Sequence, residues 1–332
     1  MLKIVSALGF AALLALSATA ANAQLARTYV SAATGSDANN CDRPTPCRTF
    51  QHAHDNTLPK GEITVLDPGG YGAVLINRAI SIINDGVGEA GVLVSGGTVG
   101  INVEAAASDA VSLRGLTIKG IGFGGGDGIF FGTGKSLTVE NCVIQNMSGS
   151  GLGHAIFFHP NATSNLAVSN TFIADNTNNG ILIQPFGSGV TTADIGRTQL
   201  YNNGFAGLNV LGQSSTGLIE IQAINSVASN DGTASNGGAG FLVQSDNGKA
   251  TTVLSLFRSV ANNNPSAGIQ AFGFNANAFV GQSMIQANNA GWIAPSGGAI
   301  ASYGDNEIIL NHSDQGDAPN TSGKLFVAFG PR

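Results

Sequence analysis

Charge is scarce in this chain: Asp, Glu, Lys and Arg make up 10% of its 332 residues, against roughly a quarter in an average soluble domain. Long amphipathic helices need a charged outer face, so a helical architecture is excluded. The 14 Lys and Arg give a net charge of −6, with no basic stripe to meet nucleic acid or anionic lipid. No run approaches the roughly 20 apolar residues of a membrane-spanning helix. Cysteine is limited to three residues, with neither further Cys nor a clustered His to complete a tetrahedral metal site.

At the start, Lys3, the apolar run Ile4–Leu16 and the small residues Ala21-Asn22-Ala23 form a signal peptide over residues 1–23. Cleavage would leave Gln24 first; a residue other than Cys there carries no lipid-attachment signal. An exported chain is expected to be secreted, periplasmic or displayed at the cell surface. In that oxidising setting Cys41 and Cys47, which bracket a short Asp-Arg-Pro-Thr-Pro loop, are expected to form a disulfide, with a metal pair as the alternative. The oxygen-rich turn Asp37–Asp42 could hold calcium, but a disulfide-pinned turn accounts for the same residues, so no metal ligand is assigned and no cofactor is expected.

What the chain has in abundance is turn residues, with 47 glycines and many Asn, Ser and Thr. A Gly or Ala followed by an apolar residue recurs at Gly100, Gly128, Ala155, Gly180, Gly207, Gly240, Gly268 and Ala299, a period of about 28 residues. Within each copy apolar residues alternate as in a strand, so Ile129/Phe131, Ile156/Phe158, Ile181/Ile183, Leu208/Val210 and Phe241/Val243 should face inward. Half a coil later comes a column of small side chains, Cys142, Thr171, Thr198, Ser226, Ser259 and Ser283. Beyond it stands an asparagine ladder, Asn146, Asp175, Asn202, Asn230 and Asn263. Cys142 is therefore one rung of a buried stack. A chain that returns to the same place every coil makes parallel strands, and the crossover rule makes the coil right-handed.

The expected architecture is an all-β, single-chain right-handed parallel β-helix of about nine coils. Its parts are a cap segment over 24–61, coils over 62–310 and a closing tail over 311–332. First-coil strands fall at Glu62–Leu66, Ala73–Ile76 and Ile80–Ile83. Thr45-Pro46 and the spacing of Phe50, Ala53 and Leu58 predict a short N-terminal capping helix over Cys47–Leu58, with His52 and His54 solvated.

Tyr29-Val30-Ser31, Gly35-Ser36-Asp37, Pro46-Cys47-Arg48-Thr49-Phe50-Gln51 and Val65-Leu66-Asp67-Pro68-Gly69, with the Gly-Ile and Asn repeats, resemble β-helix proteins of the pectate-lyase superfamily. The resemblance implies polysaccharide ligands lying along the outside of the rod. Fold alone does not decide function.

Candidate site residues come from columns. The position before each Gly/Ala holds Val99, Asp127, His154, Asn179 and then alanines, so Asp127 and His154 sit on adjacent rungs and are expected to meet as an acid or proton-transfer pair. Outward positions of the same strands hold Asn102, Phe130, Phe157, Leu182, Asn209, Leu242 and Gln270, with His159 at a strand end. Exposed aromatic rings pack on the C–H faces of sugars, which makes Phe130, Phe157 and His159 the expected ligand-binding face. Gly126-Asp127-Gly128-Ile129 and Gly153-His154-Ala155-Ile156 are similar to elements of polygalacturonase-type glycosidases. Hydrolysis calls for two flanking carboxylates and only Asp127 is in place. The leading expectation is an exported polysaccharide-binding β-helix; an adhesin-like or envelope structural protein and a polysaccharide lyase or glycoside hydrolase are the rivals.

Overall fold

The computed structural model describes residues 24–121, 125–149, 151–233 and 235–313; the expected signal peptide and all of the expected closing tail past residue 313 fall outside them. The chain winds through three parallel sheets. The first has eleven strands from Leu25–Val30 to Ala299–Ser302, the second ten from Gly69–Gly70 to Glu307–Ile309, and the third nine from Val74–Ile76 to Ala290–Ile293. Register between rungs is direct, as in Ile129↔Ile156↔Ile181↔Leu208↔Phe241. Those inward side chains, with Phe131, Phe158, Ile183, Val210 and Val243, are buried in one continuous core. The rings of Phe131 and Phe158 stack at 4.5 Å.

From Glu140 to Met284 the turn from first to second sheet is always two residues long. Its first residue, Asn141, Asn170, Arg197, Asn225, Arg258 or Gln282, is left-handed, with φ between 48° and 53°. The second is the small-residue column, and its hydroxyl does two jobs. Thr171, Ser226, Ser259 and Ser283 accept the backbone N–H of the rung before, and each donates to the carbonyl two residues back. Buried turn amides must be paired somewhere, and this column pairs them. Cys142 heads it, buried, with its thiol against the Glu140 carbonyl at 3.3 Å and burial pushing its pKa up to about 11. The thiol is packing, not a nucleophile.

Asn146, Asp175, Asn202, Asn230 and Asn263 are left-handed as expected, but they lie on the outside. A second, buried ladder stands one residue later: Asn176, Asn203, Asp231, Asn264, Asn288 and Asn311. The amides of Asn176, Asn203, Asn264 and Asn288 bond to the next rung, as in Asn176 to Asn203 at 2.8 Å and Asn264 to Asn288 at 2.8 Å. Asn264, Asn288 and Asn311 also donate to backbone carbonyls of the preceding rung, Ala228, Ala261 and Ile285. Asp231 stands where an amide would donate; its Oδ2 is buried without a partner, and burial raises its pKa well above the ordinary carboxylate value. The folded state thus holds a proton that the unfolded chain releases, so stability falls as pH rises above the ordinary carboxylate range. Asp231→Asn restores the donor. It should stabilise by about 1–2 kcal/mol near neutrality, with a smaller gain near pH 4, as read from urea midpoints.

The sole α-helix among the described residues is α1, Phe50–Asp55, capped by the Thr49 hydroxyl. It is half the expected span because the chain is already strand from Thr57. His54, expected in solvent, is on the buried side of this helix and bonded to Asp55. The family-like N-terminal motifs are scaffolding. Asp37 accepts the N–H groups of Arg48 and Thr49 and the Thr49 hydroxyl, and Asp67 gathers Ser31 Oγ, Ala32 N and Tyr71 Oη. Cys41 and Cys47 form a disulfide. His52 places a ring nitrogen near both sulfurs, although the sequence suggested no neighbouring His.

One column assignment needs correction. The last member of the glycine column is Gly291, beside Trp292, which pairs with Ile269; Ala299 lies in the first sheet. A Cβ at Gly268 would meet the Gly291 carbonyl oxygen at 2.7 Å, the same contact that Gly180 makes with Gly207.

Candidate functional site

Asp127 and His154 are on adjacent rungs, and both are buried. They do not meet through their side chains. Asp127 Oδ1 accepts the backbone N–H groups of Gly153 (3.1 Å) and His154 (2.9 Å), while His154 Nδ1 faces the backbone and amide nitrogens of Asn179 at 3.3 and 3.2 Å. Each side chain therefore takes the backbone of the next rung, the device already seen in the hydroxyl column. Burial lowers the His154 pKa to about 4 and raises that of Asp127, the reverse of the mutual charge stabilisation expected of a pair. Neutral His154 is a ladder rung, and the expected proton-transfer pair is not formed.

The outward aromatic residues do converge. Phe130 and Phe157 meet edge to face at 5.3 Å, and the His159 ring lies 5.0 Å from Phe157 and 4.7 Å from Phe186. Phe130, Phe157 and His159 are half-buried and Phe186 is 39% exposed. His159 Nδ1 is 2.5 Å from the Gln184 carbonyl oxygen, so in the neutral ring that nitrogen carries the proton and Nε2 is left as the acceptor. Along the same outward column Leu182, Asn209, Leu242 and Gln270 are covered. Asn209, though outward, is buried and receives the Gln244 amide at 3.0 Å, so it is no tolerant surface position.

Sequence reasoning missed two neighbours. Phe186 comes from the turn after Ile183, outside any repeated column. Glu104 ends its strand beside a β-bulge in the next, where the register slips between Phe131 and Thr133. The Thr133 hydroxyl donates to its carboxylate at 3.2 Å.

The model of a family described as "Right handed beta helix region" matches residues 61–231 and 99–285. Among solved structures, the pectate lyase Pel9A is 18% identical over 80% of this chain and 70% of its own, with a TM-score of 0.57. The GH136 lacto-N-biosidase from Eubacterium ramulus is 12% identical over 86% and 68%, with a TM-score of 0.51. At such identities the likeness is one of fold. No curated protein sequence matches.

Proposed function

This chain belongs to the right-handed β-helix family, and on that footing we propose that it is an exported protein that binds extracellular polysaccharide along its third sheet, with Phe130, Phe157, His159 and Phe186 as the contact face. The observation that carries the reading is the outward aromatic cluster itself. Rings in this number facing solvent beside a hydrogen-bonded imidazole supply the apolar platform and the polar acceptor that a sugar needs. Two solved relatives in fold are named as a pectate lyase and a lacto-N-biosidase, which agrees with a carbohydrate ligand here. The leader-like residues 1–23 and the Cys41–Cys47 disulfide support export. Among the described residues no helix is long and apolar enough to cross a membrane.

Binding is favoured over turnover because Asp127 and His154 are engaged with backbone and remote from solvent. Phe157→Ala should weaken glycan binding by about 1–3 kcal/mol with only a modest fall in melting temperature, because the half-buried ring also packs on Phe130, His154 and His159. Titration calorimetry against a glycan that an array identifies, with a melting curve beside it, checks both halves. Affinity that survives the substitution would move the site off this face.

A further inference from the structure

The β-bulge at Gly132 brings the Glu104 carboxyl group over a backbone position that has no side chain. Phe131 pairs with Val103 on one side and Phe158 on the other, so the register sets Gly132 between Glu104 and His159. A methyl group built on Gly132 would find its three nearest atoms all in the Glu104 carboxyl group, at 2.5, 2.8 and 2.9 Å. The carboxylate therefore leans over the glycine, toward the rung of His159, without forming an ion pair with it. Bulges re-aim side chains in this way beside ligand sites.

We propose that Glu104, Gly132 and His159 form a subsite for an uncharged sugar residue, set at the end of the Phe130/Phe157 platform. This rests on the reading that polysaccharide binds that face. The polar atoms that Glu104 and the neutral His159 ring leave for a ligand are acceptors: the two Glu104 oxygens, one already holding the Thr133 hydroxyl, and His159 Nε2 opposite the Gln184 bond. Sugar hydroxyls donate to such atoms, and a carboxylate acceptor makes the stronger, charge-assisted bond. A uronate residue would bring a second carboxylate against Glu104. Lys135 lies past the turn at Gly134, next to the first sheet, and Arg78, just past Ile76 on the rung before Glu104, spends its guanidinium on Asn77 and the Thr57 carbonyl. The absence of a side chain at 132 leaves room for the Glu104 carboxyl group to settle against the backbone at the end of the platform, and Phe130 and Phe157 supply the apolar wall.

The test measures binding of the full exported chain to xylohexaose, cellohexaose, laminarihexaose and galactohexaose, and to hexamers of galacturonate and mannuronate. A neutral hexamer should bind at least tenfold more tightly than either uronate, and Glu104→Gln should weaken it by about tenfold, the scale of a hydrogen bond to a charged group. Gly132→Ala should do the same with an unchanged melting temperature, because only the mobile end of Glu104 must give way. Tighter binding of a uronate hexamer overturns the proposal. So does wild-type affinity in both variants when Phe157→Ala has lost binding, an outcome that leaves the aromatic face standing. If no hexamer binds the wild-type chain, the polysaccharide reading falls and this subsite with it.

Discussion

Ile156→Asp should prevent accumulation of folded protein or lower its stability by more than about 4 kcal/mol, the range that marks the severest single substitutions. Ile156 is fully buried, packed in the column between Ile129 and Ile181. A carboxylate there would lie in the core with no donor, and desolvating an unpaired charge outweighs any rearrangement a closed coil allows. The matched control is Asn165→Asp on the next strand, an exposed position whose side-chain oxygen already accepts the Thr192 hydroxyl at 2.6 Å. It should fall within about 0.5 kcal/mol of wild type, as surface changes do. Urea unfolding followed by circular dichroism compares the two; equal midpoints would mean that the alternation along the third sheet is misassigned.

The other large effect is acid lability through His154. Its native pKa, about 4, lies below the ordinary histidine value of 6.5, so between those limits the unfolded chain takes up a proton that the folded chain refuses. Stability is lost as pH falls through that window, and the span of the shift makes the loss roughly 3 kcal/mol. The buried acids Asp127 and Asp231 work in the opposite direction over an overlapping range, so total stability against pH would hide the effect. His154→Asn isolates it. An asparagine oxygen can take the Asn179 N–H that His154 Nδ1 now faces, and it does not titrate. The variant should therefore gain on wild type steadily from pH 7 to pH 4. A constant gap across that range would show that His154 accepts its proton in the folded chain.

The coils were legible in the sequence because their causes are local and repeat: alternation puts Ile129, Ile156 and Ile181 inside, and Asn141 or Asn170 tolerates the left-handed turn. The slip at Ala299 has a physical origin. The loop before the last third-sheet strand shrinks to Ala287–Asn289, so a step of fixed length overshoots Gly291. The candidate site was harder to read. Spacing places Asp127 and His154 in one column, but it cannot say whether a side chain faces its neighbour or the neighbour's backbone, and the loop ending at Gly153 decides for the backbone. Phe130, Phe157 and His159 were found because they share a strand face. Phe186 and Glu104 reach that face from a turn and from beside a bulge, and neither leaves a periodic trace.

The two-residue turn between first and second sheets also bears on how such a chain changes through descent. Coil length varies elsewhere, in the other two turns and the third-sheet strands, so every coil from Glu140 to Met284 begins and ends this corner in the same backbone conformation. A segment running from Asn225 to Phe257 could be duplicated or deleted at the gene level and still offer matching ends: a left-handed residue, then a hydroxyl that binds the rung before. The rod can lengthen or shorten by whole units at this seam without disturbing the aromatic face, which depends on the residues between Glu104 and Phe186. Selection for reach and selection for ligand thus act on separable parts of one chain.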